Sequence, residues 1–306
     1  MSTTSFPDLV GCTLPIQLAG MGGASTAELA TAVSDAGGLG MIGAAGVPID
    51  MLGGMLETLE ATGKPFGVNF LMPFLDREAL QLAAEKARVV EFFFGDPDAS
   101  LVDIAHARGA LVSWQVGSPH EAHQARDAGC DIVVAQGTEA GGHVRAQTDI
   151  ATLLSALTDL AAPIVAAGGI ARSEDVRRTL DSPATAVRVG TRFLAAAEAN
   201  AHPDYVDSLI AASRNDTIIT TEFDVGWADA PARVLRSSLE AARTADDPCA
   251  TVGEQQWPVP KFTTLPPTRD ARGNVAAMPH YAGFSVDGVT KRQSAREIVD
   301  ELCGAL

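Results

Sequence analysis

The chain is poor in the features that mark several common classes of protein. It has only four cysteines in 306 residues, Cys12, Cys130, Cys249 and Cys303. Their scatter, with no CxxC spacing, argues against a zinc site or a disulfide framework. Lys and Arg number 22 against 38 Asp and Glu, a net charge of −16, and no basic run interrupts that balance. Nucleic acid and anionic membrane are therefore not expected as partners. No segment approaches ~18 uninterrupted apolar residues, and the opening "MSTTSFPDLVG" has neither the basic nor the apolar region of a signal peptide, so a cytoplasmic location is expected. What the chain does have is apolar residue. At 46% hydrophobic it can bury one large domain, or one with a smaller companion. Composition does not decide between a monomer and a homo-oligomer.

The apolar residues recur in one unit: a short apolar run, a Gly or polar loop, then a stretch rich in Ala and Leu. The runs are "PIQLAG" (15–20), "LGMIGA" (39–44), "FGVNFL" (66–71), "VVEFFF" (89–94), "ALVSWQV" (110–116), "DIVVAQ" (131–136), "PIVAAGG" (163–169) and "AVRVGT" (186–191). Helices are expected over 26–36, 49–61, 77–86, 100–108, 119–128, 149–160 and 173–180, several opening on a capping or acidic residue. Runs that are apolar throughout suit parallel strands covered on both faces. Eight of them in alternation predict an α/β fold, a (β/α)8 TIM barrel, with a smaller C-terminal cap domain. A doubly wound sheet would open on a glycine fingerprint, and "LAGMGGAST" lacks the GxGxxG spacing. The expected division is a barrel over 1–213, a substrate-binding cap over 214–287, where Pro, Thr and Asp abound and a helix is expected near 230–242, and a C-terminal helix within 288–306 that returns to the barrel.

In a barrel the chemistry sits at the carboxyl ends of the strands. The residues there are Ala19, Gly20, Met21 and Gly22, then Asn69, Gln115, Gln136 to His143 with Gly141 and Gly142, Gly168 and Gly169, and Gly190 and Thr191. Glycine loops after the last two strands suit a phosphate, because backbone N–H groups approach its oxygens closely where no Cβ intervenes. The amides Asn69, Gln115 and Gln136 both donate and accept, as the edge of a flavin or another nitrogen heterocycle requires. No strand-end Lys offers a Schiff base and no carboxylate pair offers acid and base chemistry. Flavin mononucleotide (FMN) fits this ring best.

"IQLAGMGG", "GVNFL", "QGTEAGGH", "AAGGIA" and "VGTRFLAAAEA", with "PARVLR" in the cap, resemble the nitronate monooxygenase family over about 1–240. The first loop departs from the family by carrying Gly20 where a proline usually precedes the methionine. The resemblance implies an FMN-dependent TIM barrel that uses oxygen to oxidise alkyl nitronates, with the parent nitroalkanes as a further substrate class, to carbonyl compounds and nitrite. The family also includes flavin-dependent enoyl-[acyl carrier protein] reductases, so an NAD(P)H-driven reductase of an enoyl thioester is the alternative. It further implies that His143 is the active-site base facing flavin and a small-molecule substrate, with no metal needed. An imidazole suits that role, and a barrel that merely stored flavin would have no use for it. Glu139 is read as structural, and His106, His120, His123 and His202 as lying on or beside helices without a role. His280, in "MPHYAGF", lies in the cap, where a histidine could reach a substrate, and is assigned no role from the sequence.

Overall fold

The computed structural model describes residues 5–304. Eight parallel strands form its centre: Ile16–Leu18, Gly40–Gly43, Phe66–Leu71, Val89–Phe93, Leu111–Val116, Ile132–Gln136, Ile164–Ala167 and Ala186–Val189. From the second strand onward each pairs with the next, and the eighth pairs with the first, with Ile16 opposite Val187. A bridge between Gln17 and Leu39 joins the first strand to the second and closes the barrel. Almost every strand residue is buried, as expected where helices cover the outside and side chains fill the inside.

Helices follow the first seven strands at Ala27–Asp35, Ile49–Glu60, Arg77–Lys86, Ala99–His106, Pro119–Asp127, Ile150–Ser155 and Ser173–Leu180. Their starts are set locally. The side chains of Thr26, Asp76 and Ser118 accept hydrogen bonds from N–H groups of the first turn that have no partner inside the helix. The helix expected over 149–160 stops at Ser155, because Leu157 and Leu160 continue as tight turns, Leu157 N–H to Leu154 O (3.0 Å) and Leu160 N–H to Leu157 O (3.1 Å), ahead of Pro163.

The eighth helix comes from elsewhere in the chain. After the eighth strand only the short Thr191–Leu194 turn forms, and the chain leaves the barrel. It returns as Ala295–Cys303, which packs against both Ala27–Asp35 and Ser173–Leu180 and buries Ala295, Ile298, Val299 and Leu302. Ser294 and Glu297 close the start of this helix reciprocally, a capping box.

Between these points the chain builds the helix Pro203–Ala211, an antiparallel pair Thr217–Thr220 and Ala232–Leu235, the helix Arg236–Thr244, and a small sheet of Ala250–Val252, Trp257–Val259 and Arg272–Gly273. The helix expected near 230–242 thus starts only at Arg236, after the strand Ala232–Leu235. "ARVL" pairs on one edge with Thr217–Thr220 and on the other with Gly142–His143 from the barrel loop, so tertiary pairing overrides its local preference. Among the described residues, no helix is long and apolar enough to cross a membrane.

Candidate active site

A cavity of about 580 Å³ opens at the carboxyl ends of the strands. Of the strand-end residues named from the sequence, Ala19, Gly20, Met21, Gly22, Asn69, Gln115, Gln136, Gly141, Gly142, His143, Gly168, Gly169, Gly190 and Thr191 line it, while Gly137, Thr138 and Glu139 do not.

Below the cavity the barrel interior is polar. Arg188, on the eighth strand, donates to both oxygens of Glu91 on the fourth, with Nη1 to Oε1 at 2.7 Å. In a closed barrel of eight, these strands lie opposite each other, so the pair spans the interior. Arg188 also donates to Gln115 Oε1 (2.6 Å) and to Gln17 Oε1 (3.1 Å from Nη2). Asn69 Nδ2 (2.8 Å) and Ser113 Oγ (3.1 Å) donate to Glu91. Burial pushes the guanidinium down to about 9, which leaves it charged at neutral pH. The pair orients both amides, since a carboxylate admits only the N–H side of Asn69 and a guanidinium only the carbonyl of Gln115. Asn69 Oδ1 and Gln115 Nε2 meet no partner among the described residues and remain as one acceptor and one donor. Neither Arg188 nor Glu91 was singled out from sequence, although a charge inside each of "AVRVGT" and "VVEFFF" was the available signal.

The glycine loops are open cradles. Gly168 and Gly169 have φ of +119° and +73°, and a Cβ on Gly169 would lie 3.2 Å from Glu139 Cβ. Gly190 is not in the left-handed region, but a Cβ there would face Ala19 Cβ at 3.3 Å and Met21 Sδ at 3.5 Å. Among the described residues, the N–H groups of Gly169, Ile170 and Gly190 meet no acceptor. Three unspent donors in two adjacent loops suit an anion held by backbone. On the first loop, a Cβ on Gly20 would lie 2.7 Å from Asn69 Cβ, so Asn69 occupies the space a side chain would need.

His143 is held from both sides. Gly142–His143 pairs with Arg233 and Ala232, and Val144 N–H donates to Pro231 O (2.9 Å). Gln136 spends its amide on this loop, Nε2 to His143 O (2.9 Å) and Oε1 from Arg145 N–H (3.2 Å), so it positions the histidine. Gly141 allows close packing on the cap, since a Cβ there would meet Gly283 N at 2.4 Å. The imidazole Nδ1 lies 3.3 Å from Ala230 O. A carbonyl only accepts, so Nδ1 carries the proton and Nε2 keeps its lone pair. Trp227 lies against the ring at 4.1 Å between centroids, with Phe94 at 5.9 Å and Tyr281 at 5.7 Å. This burial lowers the His143 pKa to about 4, so the imidazole is neutral at pH 7. Phe94 reaches its place through a left-handed backbone, φ +63°, a costly conformation for a bulky residue. No sequence signal marks it.

His280 does not reach the cavity. It is 2% exposed, lies against Tyr205 at 4.7 Å, and its Nε2 is 3.2 Å from Val275 O. Its neighbour Tyr281 lines the cavity in its stead. Glu139 is structural, accepting from Ile150 N–H at 3.1 Å. His106 pairs with Asp131 (2.8 Å), and His202 Nδ1 accepts from Asp204 N–H (3.1 Å).

Barrels of this kind react at the carboxyl ends of their strands, and the polar residues converge there, so fold and site define a barrel enzyme. Comparison with known proteins narrows the class. The family model for nitronate monooxygenase matches residues 4–81 and 74–304. A nitronate monooxygenase of Pseudomonas aeruginosa is 34% identical over 259 residues, covering 68% of this chain and 73% of that protein. A (3aS,4S,5R,7aS)-5-hydroxy-7a-methyl-1-oxo-octahydro-1H-indene-4-carboxyl-CoA dehydrogenase of Mycobacterium tuberculosis is 31% identical over 242 residues, covering 77% and 67%. Among solved structures, FabK from Thermotoga maritima superposes with a TM-score of 0.80 at 27% identity, covering 99% of this chain and 96% of its own. The chain belongs to the nitronate monooxygenase family and is a flavin-dependent oxidoreductase.

Proposed function

We propose that the protein binds FMN in this cavity and oxidises alkyl nitronates with molecular oxygen, giving a carbonyl compound and nitrite. The observation that carries the reading is the neutral His143, its Nδ1 tied to Ala230, on the wall of a cavity whose neighbouring glycine loops offer unspent backbone donors. The residues fit a flavin mononucleotide. The N–H groups of Gly169, Ile170 and Gly190, with the open backbone of Gly168, would hold its single phosphate, and Asn69 Oδ1 and Gln115 Nε2 would meet the donor and acceptor edge of its ring. Ala19 to Gly22 and Thr191 complete the cradle. When bound, the flavin supplies the electron transfer that a protein side chain cannot. Gln136 and the Ala232–Leu235 strand orient His143, the aromatic groups around it exclude water, and residues 214–287 act as the substrate cap over a barrel of 1–213. His143 Nε2 takes the carbon-bound proton where a nitroalkane is the substrate. Overall, two nitronates and one O2 give two carbonyl compounds and two nitrites: each carbon to nitrogen bond breaks, and the carbon takes one oxygen atom from O2 as nitrite leaves. A cytoplasmic location and a substrate small enough to enter the cavity belong to the same reading.

The similarity to an octahydro-indene-4-carboxyl-CoA dehydrogenase keeps one alternative in view, an NAD(P)H-driven reduction of an enoyl thioester at the same site. Mixing the purified yellow protein anaerobically with a nitronate and, separately, with NADPH separates the two. Bleaching of the visible flavin spectrum by the nitronate alone is the expected result, and bleaching by NADPH alone would replace the reading with the alternative.

The released cofactor is expected to be FMN by mass, because the glycine loops form one phosphate site with no second region for an adenosine pyrophosphate. Gly169→Val should give folded, colourless protein, since valine resists φ +73° and its side chain meets Glu139. FAD in the extract, or full flavin occupancy in Gly169→Val, would place the phosphate elsewhere.

A further inference from the structure

The rim of the cavity carries an unusual share of the protein's exposed apolar surface. Six large apolar side chains are exposed among the described residues, and three of them, Phe74 (42%), Val225 (43%) and Leu265 (53%), line this one cavity. They come from separate parts of the chain: the turn after the third strand, and two cap segments laid side by side. Val225 N–H donates to Phe262 O (3.0 Å) and Thr264 N–H to Val225 O (3.3 Å), and Tyr281 Oη anchors this ribbon through Thr264 O (2.9 Å). Trp227 spans the gap between rim and site, with its ring 5.2 Å from Phe74 and 4.1 Å from His143. The rim therefore forms an apolar collar continuous with the reacting end.

Charge is missing from this path. Among the described lining residues Arg188 is the one Lys or Arg, and its guanidinium is spent on Glu91, Gln115 and Gln17. Lys261, beside the ribbon, lies over the Phe262 ring at 6.0 Å. Asp224 and Asp229 flank Trp227 and are exposed. A coenzyme A or acyl-carrier phosphate would find no cation aimed at it and acidic groups nearby. Resting on the nitronate reading, we propose that the physiological substrate is a carrier-free nitronate with an extended apolar substituent, five or more carbons or a ring, seated in the collar of Phe74, Val225, Trp227 and Leu265. The anionic head lies toward His143 and the substituent toward the mouth.

The test is a chain-length series. From the nitronate of nitroethane to that of 1-nitrohexane, kcat/KM should rise about twofold per methylene, less than full burial would bring because the collar is itself half exposed. In Leu265→Ser combined with Phe74→Ser, both at exposed positions, the slope should fall to half or less. A flat series, or a slope the double variant leaves intact, overturns the proposal. Straight-chain carboxylates titrated into the yellow enzyme and followed in the visible spectrum read the collar without turnover. A Kd that tightens with length while no nitronate is consumed retains the collar and removes the nitronate reading; a Kd independent of length removes the collar whatever is turned over. Hexanoyl-coenzyme A should bind no tighter than hexanoate, and tighter binding overturns the carrier-free assignment.

Discussion

Replacing His143 with Asn should depress turnover of a neutral nitroalkane by about 10²- to 10³-fold and leave the matching nitronate much less affected. General base catalysis is typically worth about 10²–10⁴-fold. The lower part of that range applies because a base with a pKa of about 4 pulls less strongly on a carbon-bound proton. The preformed nitronate has already lost that proton. Asparagine keeps a hydrogen-bonding group of similar reach, so flavin should stay bound. The pH profile supplies an independent check. The active form is the neutral imidazole, so kcat/KM with the nitroalkane should hold from neutral pH down to about 5 and decline as pH falls through about 4, where a solvated imidazole would already lose activity near ~6.5. Steady-state rates with both substrates in both proteins decide the matter. Equal losses would make His143 a positioning residue, and no loss on either substrate would remove it from the chemistry.

The largest effect on stability should come from Arg188→Met. Glu91 is 0% exposed, and without the guanidinium its carboxylate would face only the donors of Asn69 and Ser113. Breaking a buried ion pair from one side costs about 3–5 kcal/mol, a large part of the roughly 5–15 kcal/mol that holds a domain folded. Adding Glu91→Gln should restore most of it, because a neutral amide can stay buried at smaller cost and still bond its neighbours. Urea unfolding of the wild type and both variants gives the comparison. A loss under about 1 kcal/mol in Arg188→Met would mean that water reaches Glu91, and a double variant as unstable as the single one would mean that the arginine acts by packing. Loosening this pair also frees Asn69 and Gln115, so weakened flavin retention should accompany the loss of stability.

The sequence by itself determined the barrel and the ring of residues at its mouth. Eight wholly apolar runs separated by helical stretches have one compact solution, parallel strands under a coat of helices, and once that is granted every strand end faces the same side. Asn69, Gln115, His143 and the glycine pairs could therefore be placed together without coordinates. Several features depended on contacts between residues far apart in the chain. The eighth helix position is filled by Ala295–Cys303, because the gap between the first and seventh helices is the apolar surface left for it. "ARVL" is a strand because two partners from elsewhere pair with it. The Arg188–Glu91 brace exists only because closure sets the fourth and eighth strands opposite one another. His280 points away from the substrate while Tyr281 lines the cavity, a choice of direction that one residue of backbone decides and no local pattern encodes. The neutral state of His143 was likewise beyond the sequence: Trp227 and Phe94, 84 and 49 positions away in the chain, are what take it out of water, and only their arrival in space lowers its pKa.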